Sequence, residues 1–171
     1  MKSFKLSSVV TLALCIVISN PTTARPADPI KLDGSGSVMA IIDTGIDTSL
    51  PQFAGKIIGE ACFTSNASCP NGTNEQVGSG AATLSTKVAS GAGLNHGTAM
   101  ASVAMSVAPG AKIFMIRDAG INVSNQMDLR VPDLTRAISW VAKNAKTYGI
   151  TSLSISQGSS TYPCSNSTST S

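Results

Sequence analysis

Val38-Met39-Ala40-Ile41-Ile42-Asp43-Thr44-Gly45 is the stretch on which the reading of the fold turns. Its apolar run shows no polar alternation, which describes a short strand covered on both faces. Strands of that kind belong to parallel sheets flanked by helices. Gly36 stands before the run and Asp-Thr-Gly after it. A carboxylate in that position stands at the carboxyl end of a buried strand, where parallel sheets present groups to ligands. Alone, the same three residues also compose an ordinary tight turn.

Downstream, Ala99 to Val107 is small and apolar and follows Gly97-Thr98, which reads as a buried helix ended by Pro109-Gly110. Lys112 to Ile116 reads as the next strand. The clearest helix runs from Pro132 to about Tyr148, with Leu134, Ala137, Ile138, Val141, Ala142 and Ala145 on one stripe. Pro132 suits its first turn and Gly149 its stop. Ile150 to Ile155 reads as a further strand. Alternating strands and helices imply an α/β domain built on a parallel sheet. Residues 64–95, rich in Ser, Asn, Gly and Ala without periodicity, read as a long surface loop. Residues 165–171 read as a polar tail with no core pattern.

Upstream, residues 1–24 carry Lys2 and Lys5, an apolar stretch from Val9 to Ile18, and Thr22-Thr23-Ala24, the pattern of a secretory signal peptide. The apolar stretch is about half of the roughly 20 residues a membrane-spanning helix needs, so no stable membrane span is expected. The expected location is secreted, extracellular or periplasmic. The mature chain would begin near Arg25, with 25–37 as a short linker. Without Lys2 and Lys5 the 12 basic residues fall to 10 against 9 acidic ones, a net charge of about +1 that argues against a nucleic-acid partner.

Cys62, Cys69 and Cys164 remain after cleavage, in a chain bound for an oxidising compartment. Cys62 and Cys69 can close a short loop, with a stabilisation on the order of 2–3 kcal/mol. Cys164 is left over and needs a partner elsewhere. One His and three Cys without ligand spacing support no metal site, and no cofactor is expected. Asn66-Ala-Ser68, Asn71-Gly-Thr73, Asn122-Val-Ser124 and Asn166-Ser-Thr168 are glycosylation acceptors in a eukaryotic source and ordinary loop residues otherwise.

His96, the single histidine, precedes Gly97-Thr98 at the entrance to the small-residue helix. Imidazole is the side chain best suited to proton transfer near neutral pH. A lone His is more commonly a structural residue with a satisfied hydrogen bond, so neither Asp43 nor His96 decides a function by itself.

Together they fit a family pattern. Met39-Ala-Ile-Ile-Asp-Thr-Gly-Ile-Asp47 resembles the aspartate block of the subtilisin-like serine peptidases, and Asn95-His-Gly-Thr-Ala-Met-Ala-Ser102 resembles their histidine block. Val107-Ala-Pro-Gly-Ala-Lys-Ile113 looks like the segment that leads into the next strand. Ser154-Ile-Ser-Gln-Gly158 looks like the strand whose Ser-x-Gly edge lies beside bound substrate. The segment with Cys62 and Cys69 resembles a cysteine-containing insertion of some bacterial members.

The resemblance covers about Val38 to Cys164, so 38–164 is expected to form a partial subtilisin-like domain. It implies that Asp43 orients His96, that His96 takes the nucleophile's proton, and that Ser156 and Gly158 bind a polypeptide substrate. The family's Gly-Thr-Ser-Met-Ala nucleophile block and its oxyanion Asn have no match here. The expectation is therefore an incomplete fold, truncated before the Ser, inactive as this chain and missing a C-terminal half. Leu50, Ala99 and Ser102 depart from common family residues, which lowers the expectation of tight helix packing.

Two alternatives remain at this point. One is a non-catalytic secreted protein that binds peptide by strand addition. The other is an aspartic peptidase built on Asp43-Thr44-Gly45, which would need a second Asp-Thr-Gly that the chain lacks.

Overall fold

The computed structural model describes residues 32–83 and 95–158. The expected signal segment 1–24, most of the linker 25–37, Cys164 and the tail 165–171 lie outside them. Val38–Asp43 forms strand β1, Ile57–Phe63 β2, Glu75–Val77 β3, Lys112–Arg117 β4 and Ile150–Ile155 β7. These five strands make one sheet in the order β3-β2-β4-β1-β7. β1, β2, β4 and β7 are mutually parallel, and β3 runs antiparallel to β2. Ala119–Ile121 (β5) and Met127–Leu129 (β6) form a separate hairpin. Helix α1 is His96–Val107 and helix α2 is Val131–Tyr148.

The unbroken apolar run of β1 is explained by its place between β4 and β7, where both of its faces meet side chains. Ile41 packs with Met115, Ala101 and Met105 on the α1 face. Ala40 and Ile42 pack with Phe114, Ile116, Ala137 and Val141 on the α2 face. Phe114 anchors that second cluster, with ring centroids 5.0 Å from Trp140 and 4.7 Å from Tyr148, geometries that add to simple area burial. Helix α2 stops where the sequence indicated, because Gly149 takes the left-handed conformation and its N–H closes on Ala145.

Helix α1 differs from the buried helix expected of its composition. Only Gly97, Thr98, Ala101 and Met105 are buried, whereas Val103 and Val107 are 57% and 76% exposed. One face of α1 rests on the sheet, and the other has no cover among the described residues. Leu50 joins the α1-side core, the Ser102 hydroxyl donates back to the Thr98 carbonyl, and Ala99 is exposed, so all three departures are accommodated.

Of the long surface loop expected over 64–95, residues 84–94 lie outside the described residues, and 64–83 are more buried than a surface loop. Thr64, Cys69, Ala81 and Ala82 are buried, and Cys62 is bonded to Cys69 with Cα atoms 5.8 Å apart. Polar side chains bonded to backbone replace the periodic apolar burial that sequence patterns detect. The Ser65 amide and hydroxyl both donate to Asp133 at the start of α2, where a carboxylate also suits the helix dipole. Asn66 Nδ2 donates to the Ile121 carbonyl at 2.6 Å, which ties the loop to the β5–β6 hairpin and engages the nitrogen that glycosylation would need. The Ile121 amide in turn donates to Ser68 Oγ.

The disulfide should therefore hold the hairpin as well as its own loop. The paired change Cys62→Ser with Cys69→Ser is expected to cost about 2–3 kcal/mol. It should also accelerate hydrogen exchange at the Ile121 amide, and urea denaturation with exchange mass spectrometry checks both effects.

Candidate functional site

Asp43 ends β1 fully buried, and a carboxylate in that position must be hydrogen-bonded to be tolerated. Its Oδ1 accepts the Thr44 amide at 2.7 Å. His96 Nδ1 lies 2.9 Å from both Oδ1 and Oδ2. Two carboxylate oxygens can only accept, so the contact assigns the proton to Nδ1 and leaves the Nε2 lone pair available. The imidazole is 37% exposed while its carboxylate is shut away, so the ring faces solvent and its support does not.

The flanking residues explain why the sequence folds this way locally. Thr44 Oγ1 accepts the Gly97 amide at 3.1 Å, and Thr98 Oγ1 accepts the Asp47 amide at 3.0 Å. Each block thus grips the other. A Cβ on residue 97 would stand 2.3 Å from the Gly45 carbonyl oxygen and 3.1 Å from Asp43 Cβ. Only glycine lets the start of α1 approach the strand end closely enough for the His–Asp contact.

Ser156 and Gly158 follow β7, the neighbour of β1, whose Ile155 pairs with Ile42. They sit at the same carboxyl end as Asp43, one strand away, and both are exposed. β7 is an edge strand of the described sheet.

Two residues not singled out in the sequence lie close by. Asp118, directly after β4, is 2% exposed, and its Oδ2 accepts from Gln157 Nε2 at 2.5 Å. Burial pushes the Asp118 carboxyl up to about 6 against the pull of hydrogen bonds from Gln157 and from its own backbone amide, and the charges of Asp43 and Asp133 add to the upward push. The available signal was positional, since Asp118 follows an apolar strand at the end of the sheet where Asp43 stands. Beside it the Arg117 guanidinium donates to the Ala119 and Thr83 carbonyls, and burial pushes its pKa below the ordinary value.

Among the described residues no group of three or more His, Cys, Asp or Glu side chains could hold a metal ion. No helix there is long and apolar enough to cross a membrane.

A buried carboxylate thus stands behind a partly exposed imidazole at the carboxyl end of a largely parallel sheet. The subtilase family model matches residues 34–170, and the chain belongs to that family of subtilisin-like serine peptidases. It is similar to thermitase of Thermoactinomyces vulgaris, with 43% identity over 42 residues. That match spans 25% of this chain and 15% of the relative's length.

Above neutral pH, nitrogen NMR of the ring should show His96 protonated at Nδ1, and a mixture of tautomers in Asp43→Ala. Gly97→Ala should shift the ring signals in the same direction, because its methyl group meets backbone that cannot yield without moving α1.

Asp118 sets a second expectation. A carboxyl group with a raised folded-state pKa stabilises the fold below its unfolded value, near 3.8, and that contribution is lost as pH rises through about 6. Relative to Asp118→Asn, the protein should lose on the order of 3 kcal/mol across that window. Urea midpoints measured at several pH values check the sign.

Proposed function

We propose that Asp43 and His96 are the acid–base part of a serine endopeptidase triad, and that the polypeptide carrying them is exported. The observation that carries this reading is the double contact of His96 Nδ1 with the buried Asp43 carboxylate. In the proposed reaction, Nε2 accepts the hydroxyl proton of a serine nucleophile as that oxygen attacks the peptide carbonyl. The resulting imidazolium is stabilised by Asp43 and then returns the proton to the leaving amine. Asp43 stays ionised throughout.

The substrate is a polypeptide held along the carboxyl end of β7, with Ser156 and Gly158 as backbone partners. An open edge strand offers the unpaired N–H and C=O groups that an extended peptide can use. The same edge favours peptide binding even in the absence of hydrolysis.

The 171 residues contain no Gly-Thr-Ser sequence, so the nucleophile and an oxyanion donor are assigned to polypeptide outside them. The exposed faces of Val103 and Val107 on α1, and of Leu153 and Ile155 on β7, supply apolar surface that such further polypeptide would cover. Export is supported by the charged-then-apolar pattern of residues 1–24 and by the Cys62–Cys69 bond.

The 171-residue chain alone should show no casein hydrolysis sensitive to serine-directed inhibitors. Activity should appear when a segment bearing a Gly-Thr-Ser block is supplied, and disappear again with His96→Ala. Inhibitor-sensitive hydrolysis by the chain alone would refute the division of the triad.

A further inference from the structure

A recess of about 70 Å³ opens at the carboxyl ends of β4 and β7, on the α2 side of the sheet. Leu129, Val131 and Leu134 form its apolar wall, and Asp118 and Gln157 its polar end. The Asp118–Gln157 hydrogen bond uses one polar atom of each. Asp118 Oδ1 and Gln157 Oε1 are both buried without a hydrogen-bond partner. Two orphaned acceptors on neighbouring residues that line one recess are costly, and both lack the same thing, a donor.

The charges around the recess narrow the kind of donor. Arg130 also lines it, but its Nε is bound to Asp128 at 2.6 Å. Asp133 is taken up by Ser65 and by Arg136, at 2.8 Å from the latter. Asp43 is committed to His96, and Arg117 donates to two carbonyls. No cation among the described residues is hydrogen-bonded or ion-paired to Asp118. Its burial without one raises its pKa to about 6, so it is mostly ionised at neutral pH.

We infer that this recess takes the ammonium end of a lysine side chain from the bound polypeptide, with Asp118 Oδ1 and Gln157 Oε1 as the acceptors. An ammonium group offers three donors from one compact centre, enough for both acceptors at once. The methylene stem suits the wall of Leu129, Val131 and Leu134. Gly158, the reading's backbone contact for substrate, also lines the recess, so a peptide on that edge passes its mouth. The inference rests on the proposed peptide-binding role of Ser156 and Gly158. It adds a specificity-determining pair to that role.

Another recess, of about 430 Å³ and bounded by Ile57, Gly59, Phe114 and Tyr148, lies toward the amino ends of the strands. Its one carboxylate, Glu60, already accepts the Ala82 amide, so it makes no matching demand for a ligand.

Two titrations of the isotopically labelled protein, followed by amide and side-chain NMR, test the assignment. The first uses n-butylammonium, with n-butanol and butyrate as controls. The second uses short peptides that differ only in carrying lysine or norleucine at one position. Butylammonium should shift the Gln157 side-chain amide and the Leu134 amide, and the two controls should not. One lysine peptide should bind at least about tenfold more tightly than its norleucine twin, a difference of about 1.4 kcal/mol. Asp118→Asn and Gln157→Leu should each erase that preference while norleucine peptides bind as before.

Equal binding of the twins would overturn the lysine assignment and leave the peptide edge standing. Failure of butylammonium to shift the recess would also overturn it, and would indicate that water satisfies the two acceptors. Butylammonium binding with no peptide binding at all would overturn the peptide-edge reading, and the assignment of the ammonium to a substrate with it.

Discussion

The burial of the Asp43 carboxylate is the constraint on which the rest of the structure depends. A charged group with no exposure costs several kcal/mol unless its oxygens are occupied. The Thr44 amide can serve one oxygen from within the turn, but further donors must come from another element. That requirement brings the start of α1 against the end of β1, so that His96 can serve both oxygens. The close approach then dictates a residue without a side chain at 97, and the Thr44 and Thr98 hydroxyls stitch the two segments together. The Asp43–His96 contact is thus also the joint between helix and strand.

The sheet makes such a joint affordable by being rigid. β1 lies between β4 and β7, and the two apolar clusters press on it from opposite faces. On the α2 face the ring cluster of Phe114, Trp140 and Tyr148 fixes the helix. The loop closed by Cys62 and Cys69 reaches the far end of that helix through Ser65 and Asp133. Both ends of α2 are therefore restrained, one by aromatic packing and the other by charge-assisted hydrogen bonds.

Periodic features were legible in the sequence, and features built from polar contacts were not. β1, β4, α2 and β7 each announce themselves by an apolar run or a helical stripe with terminating residues. β2 escaped because Gly59 and Glu60 interrupt its apolar residues. β3 and the β5–β6 hairpin have three-residue strands, too short for any period to register. The buried residues between 64 and 83 are small or polar, and they are held by a disulfide and by Asn and Ser side chains that elsewhere would mark a surface loop. The proximity of Asp43 and His96 was legible only through family resemblance, since 53 residues separate them. No local rule joins residues so far apart. The exposure of Val103 and Val107 has a related cause, because composition indicates that a helix face is apolar without indicating what covers it.

Asp43 and Asp118 stand at successive levels of one end of the sheet and face opposite sides of it. In the parallel register Asp43 pairs with Arg117, so Asp118 is one residue past the level of Asp43. Side chains alternate between faces at each step along a strand. That single step accounts for the two carboxylates serving different partners. Asp43 meets the imidazole on the α1 side, and Asp118 borders the recess walled by α2 residues. Their charges still sense each other, since Asp43 contributes to the upward shift of Asp118. A cation bound at Asp118 would offset the repulsion from Asp43, which favours occupancy of the recess while Asp43 is ionised. Occupancy would also change the field at the neighbouring pair, since charges held at the ends of adjacent strands in a poorly solvated region are weakly screened. A peptide seated in the recess would therefore alter the electrostatic balance around His96 from the opposite face of the sheet, without touching it.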